Sequence, residues 1–278
     1  MAILDMRRAP AAVGSETPNL SNTIRRVLLP LDGTRHGDWV VERAIPLARA
    51  LNAEVELIRA YTADHPPHAH GRRIFTRRRE EREPLHAASL YLARLEGVLR
   101  ARGVRTFSRA VQWPMADAIL DAAETDPPDL IYLTAGLWRE SETRRSAGEH
   151  PLIEVLNQSR VPVLLDDTAE ASALPYGVGA ELRVVIVACD DEARSARSGE
   201  YAATLARALG ARLTLLPAGR SADTGEGEPD GALLETLARE RANLLVVCLP
   251  RALEQRRAAV ERFVRLPRAG GPAVLFMP

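Results

Sequence analysis

Apolar residues recur along this chain at two spacings, and the two alternate. Val27–Leu31 and Val55–Ala60 are short apolar runs that read as buried strands; between them Val41, Ala44, Ala48 and Leu51 step by three and four, predicting a helix over Trp39–Leu51. The polar stretch Thr62–Glu83, with three His and a run of Arg, has no period and reads as a long irregular segment. Leu85, Ala88, Leu92, Leu95 and Leu99 then mark an amphipathic helix, and Gly103 stands where a left-handed C-cap belongs. The pattern continues with a strand near Arg105–Val111, a helix near Met115–Glu124, a strand over Leu130–Thr134 and a loop over Ala135–Ala147. A helix over Pro151–Ser159 and a strand over Val161–Leu165 follow. Buried strands alternating with helices predict an α/β fold, a doubly wound, Rossmann-like parallel sheet.

The pattern is written twice. Val27–Asp32 (VLLPLD) returns 158 positions later as Val185–Asp190 (VIVACD), Leu47–Leu51 (LARAL) returns as Leu205–Leu209, and Glu42 aligns with Glu200. After the second strand of the second copy (Arg212–Pro217) the offset falls from 158 to 114, a deletion of 44 residues. Ala118–Asp121 then aligns with Ala232–Glu235 and Asp129–Ile131 with Asn243–Leu245, while Ala273–Met277 mirrors Pro162–Leu165. The deletion removes about one helix and one strand and leaves the Gly-rich loop Gly219–Gly231. The predicted organisation is a disordered lead-in (1–23), a first domain (24–166), a Pro/Gly/Ala linker (167–181) and a shortened second domain (182–278).

Composition narrows the function classes. A chain of 278 residues suits two domains, and its zero formal charge argues against a nucleic-acid or acidic-membrane partner. The apolar runs are far shorter than the roughly 20 residues that span a bilayer, so the cytoplasm is the expected location. The basic side chains other than His are all Arg, which excludes a P-loop or Schiff-base Lys. Cys189 and Cys248 end apolar strands of the second copy and read as buried structural thiols. His65, His68 and His70 share one polar loop without a further fixed ligand, so no metal is expected. The Arg72–Arg79 run is offset by Glu80, Glu81 and Glu83, as on a solvated face.

In doubly wound sheets ligands sit at the carboxyl ends of the strands, where strand order reverses. Asp32-Gly33-Thr34 falls there in the first copy and Asp190-Asp191 in the second. The acid can accept hydrogen bonds from an adenine amino group or a ribose, and Asp-Gly-Thr equally suits a helix-capping turn. No Ser/His/acid set has a catalytic spacing.

Val27–Thr34, the LARAL helix end, and Asp129–Ile131 followed by a loop and Val161–Leu164 resemble a universal stress protein domain. The resemblance spans residues 24–166, with a degraded form over 182–278. It implies five parallel strands with helices on both faces and pairing through the last strand. It also implies, in members that bind ATP, a loop after the fourth strand of pattern G-x-x-G, nine residues, then G-S or G-T. Here the first Gly falls on Thr134 and the second on Leu137; taking Gly136 instead leaves 11 residues before Gly148, and Glu149 replaces the hydroxyl residue. A carboxylate repels a phosphate there. Trp113 stands where the family has a Gly beside the nucleotide, so its bulk is expected to crowd the pocket. Arg139, Arg144 and Arg145 lie in the same loop and could contact phosphate. The second copy has no Gly between Cys248 and Gly270.

The expectation is a non-enzymatic stress-response or regulatory module with an eroded nucleotide site and no cofactor. The two copies would pack through their last strands as an internal pseudo-dimer, with a further homodimer open. The alternative is an ATP or adenine-nucleotide sensor, with Asp32, Gly33, Thr34, Thr134, Gly136 and Gly148 as the site. A third reading, an adenine-nucleotide-dependent enzyme such as an adenylyl transferase, is disfavoured because Asp32–Gly37 (DGTRHG) is neither His-rich nor Ser/Gly-rich.

Overall fold

Strands form where apolar, β-branched residues run together, and every strand among the described residues is paired. The computed structural model describes residues 24–33, 35–61, 74–134, 151–166, 181–187, 192–217, 231–267 and 271–278. The first half holds β1 (Arg26–Pro30), α1 (Arg35–Leu51), β2 (Glu54–Ala60), α2 (Ile74–Ala101), β3 (Thr106–Val111), α3 (Met115–Thr125), β4 (Leu130–Thr134), α4 (Pro151–Gln158) and β5 (Val163–Asp166). The second holds β6 (Glu181–Val187), α5 (Glu192–Leu209), β7 (Arg212–Pro217), α6 (Gly231–Arg239), β8 (Leu244–Cys248), α7 (Leu253–Phe263) and β9 (Ala273–Met277). Among the described residues the second half thus has one strand and one helix fewer.

All nine strands of the described residues join one sheet in the order β3-β2-β1-β4-β5-β9-β8-β6-β7. Within each half every pairing is parallel. Where the halves meet, β5 and β9 run antiparallel, with Val163 opposite Phe276, Leu164 opposite Leu275 and Leu165 opposite Val274. These six side chains are buried, each worth about 1.5–3 kcal/mol of transfer free energy, so the junction is core rather than surface. Two polar links cross the same junction. Arg256 on α7 donates to the carbonyls of Leu156 and Ser159 at the end of α4, and Tyr201 on α5 donates to the Asp129 carbonyl at 2.8 Å. Burial holds the Tyr201 phenol far above its ordinary pKa.

The repeat anchors have physical roles. The Asp129 carboxylate accepts the backbone N–H groups of Arg25 and Arg26 at 2.7 and 2.9 Å, tying the start of β4 to the start of β1. Asn243 does the same in the second half: its Oδ1 accepts Arg183 N–H at 2.9 Å and its Nδ2 donates to the Glu181 carbonyl at 2.9 Å. The two LARAL segments end alike. Asn52 (φ 51°) and Gly210 (φ 64°) turn left-handed, and Ala53 N–H and Ala211 N–H return to Ala48 and Ala206 at 2.9 Å. That is the bond a Schellman-type end makes. Gly103 (φ 76°) closes α2 in the same way, with Val104 N–H on the Leu99 carbonyl at 3.0 Å.

Three boundaries differ from the sequence reading. Helix α2 begins at Ile74, inside the stretch expected to be irregular. The residues of those first turns carry no apolar period, so the pattern does not mark the helix there. Strand β5 starts at Val163 rather than Val161, because Pro162 has no N–H for the ladder. Helix α7 is largely polar and went unread.

Candidate functional site

β1 stays beside β2 along its whole length, from Arg26 opposite Glu54 to Pro30 opposite Ile58, and Leu31 N–H still reaches the Ile58 carbonyl at 2.9 Å. Against β4, however, β1 pairs only at Val27 and Leu28. Pro30, which has no N–H, ends that ladder, and the carboxyl ends of β1 and β4 lie where strand order reverses. This is where doubly wound sheets hold ligands. Asp32 and Gly33, both half-buried, follow β1 there, and Gly33 takes φ 81°, a conformation that strains any residue with a Cβ.

Beside β1, β4 ends at Thr134, which is 2% exposed and whose Oγ1 has no hydrogen-bond partner among the described residues. Such a buried hydroxyl costs about 1–3 kcal/mol unless something satisfies it. Its ladder neighbour Asp166 is fully buried. Asp166 accepts the Tyr132 hydroxyl at 3.0 Å and has Arg43 Nη1 of α1 at 3.9 Å, so that carboxylate is compensated within the fold.

Sequence reasoning missed Arg59. This residue lies near the carboxyl end of β2, one position past Ile58 and on the same strand face as Val55 and Leu57. Its guanidinium leans over β1: a Cβ built on Gly33 would meet Arg59 Cζ at 2.1 Å. From the far side the ring of Tyr91 on α2 stacks at 4.7 Å from Cζ, a cation–π contact, and Tyr91 also has Arg94 at 5.5 Å. Arg59 Nε is buried and has no hydrogen-bond partner among the described residues. The available signal was parity: alternation in VELIRA puts a cation on the face otherwise given to Val55 and Leu57.

Trp113 precedes Pro114 at the start of α3 and is 47% exposed. Thr34, Gly136, Gly148, Glu149, Arg139, Arg144, Arg145, Cys189, Asp190, Asp191 and the loop of His65, His68 and His70 lie outside the described residues. Among the described residues no group of three His, Cys, Asp or Glu could hold a metal, and no helix is long and apolar enough to cross a membrane.

In the second half the corresponding place is built differently. Four residues, Leu249–Ala252, join β8 to α7, where 16 residues, 135–150, join β4 to α4. Arg194 of α5 donates to the Leu249 carbonyl. Ser198 donates to the Arg194 carbonyl at 2.9 Å and lies 3.0 Å from the free, buried thiol of Cys248. The turn after β8 is thus held by side chains of α5.

Comparison with known proteins agrees with this geometry. No curated protein sequence matches the chain. Among solved structures, a universal stress protein from Archaeoglobus fulgidus DSM 4304 is 16% identical over 93% of this chain and 98% of its own, with a TM-score of 0.61. A functionally unknown protein from Pseudomonas aeruginosa PAO1 is 15% identical over 92% and 93%, with a TM-score of 0.57. At these identities the likeness is one of fold. A universal stress protein in complex with cAMP is 20% identical over 53% of this chain and 99% of its own, with a TM-score of 0.39. The universal stress protein family model matches residues 23–165, just over half of the sequence. The chain belongs to the universal stress protein family.

Proposed function

We propose that the protein is a non-enzymatic stress-response module of the cytoplasm, whose second half serves as a built-in partner for the first and whose nucleotide site no longer holds ATP. The observation that carries this reading is the Arg59 guanidinium seated over Gly33, where an adenine or ribose would approach Asp32. The four-residue turn Leu249–Ala252 supports the same conclusion for the second half, since it leaves no loop to wrap phosphates. The antiparallel β5–β9 ladder supports the built-in partner.

Calorimetric titration with ATP, beside mass spectrometry of the purified protein, tests the reading. No heat at millimolar ATP and no co-purified nucleotide are expected. Saturable binding would overturn it in favour of an adenine-nucleotide sensor using Asp32 and Gly33. Release of AMP or pyrophosphate from ATP would show an enzyme. Limited proteolysis between β5 and β6 tests the partnership: the cut halves are expected to stay together on a sizing column, and free halves would refute it.

A further inference from the structure

We draw no further inference here: the strongest candidate, the outer edge of the sheet at β7, which among the described residues is bonded to β6 alone where its first-half counterpart β2 is flanked by β3, carries none because nothing in the structure shows what covers it.

Discussion

Arg256→Met removes a single guanidinium from the seam between the two halves. In the native fold Nε and Nη2 of Arg256 reach the Leu156 carbonyl at 3.3 and 3.2 Å, and Nη2 reaches the Ser159 carbonyl at 2.6 Å. The last four carbonyls of a helix lack intrahelical partners, and in α4 the Ser159 N–H closes only Val155, at 2.8 Å. Each charged hydrogen bond lost to truncation costs about 1.5–3 kcal/mol, and the cation at a helix C-terminus adds about 0.3–1 kcal/mol. Against this stands the desolvation of the guanidinium, which pulls its pKa below the ordinary arginine value. A net loss of about 2 kcal/mol remains. Met fills the channel of the arginine stem, so packing is nearly conserved. For a chain of this size about 2 kcal/mol lowers the melting temperature by roughly 4–8 °C. Differential scanning calorimetry and urea unfolding measure it, with the urea slope unchanged. A shift below about 1 °C would refute the reasoning, meaning that desolvation cancels the bonds and the β5–β9 ladder alone holds the seam.

Three further outcomes are expected. Glu56 is buried, and desolvation raises its pKa in spite of Arg109 at 2.6 Å and Arg26. A raised carboxyl pKa contributes stability that is present below the unfolded value, about 4.3, and is lost as pH rises through the folded value. Glu56→Gln should therefore melt about 1–3 °C higher than wild type at pH 7, the gap closing toward pH 4; an equal or lower melting point at pH 7 contradicts this. Gly33→Ala should cost about 1–2 kcal/mol, from its positive φ and from displacing Arg59, and less in an Arg59→Ala background. Identical costs in both backgrounds would break the link between the two residues. Tyr201→Phe strips the hydroxyl that serves the Asp129 carbonyl and should cost about 1 kcal/mol in urea unfolding. A cost of zero would mean that water replaces the bond.

The fold was legible because its repeat anchors do local jobs. Asp129 and Asn243 clasp strand starts, and the LARAL ends fold into left-handed turns, so a fixed offset between them marks two copies of one backbone. Helix α7 and the first turns of α2 escaped because their residues are polar and carry no apolar period. The site was legible in position only. Strand order places Asp32 and Thr134 at the switch point, whereas Arg59 takes its position between Gly33 and Tyr91 of α2, far apart in sequence.

The geometry also explains which part of the second copy could be lost. The sheet order puts β3 at the outer edge of the first half, bonded to β2 alone, and the deletion in the second half leaves β7 at the corresponding edge, bonded to β6 alone. Removing an edge strand moves the edge inward by one; removing a central strand exposes unpaired backbone on both neighbours. The new edge is dressed like the old one. Glu181 accepts the Thr214 hydroxyl at 2.9 Å and pairs with Arg183 at 3.0 Å, as Glu56 pairs with Arg109 across β2 and β3. At the opposite end, β9 is flanked on both sides and wholly buried, so its loss would strip β5 and β8 together. A loss confined to the far edge leaves the β5–β9 junction and the buried β9 untouched.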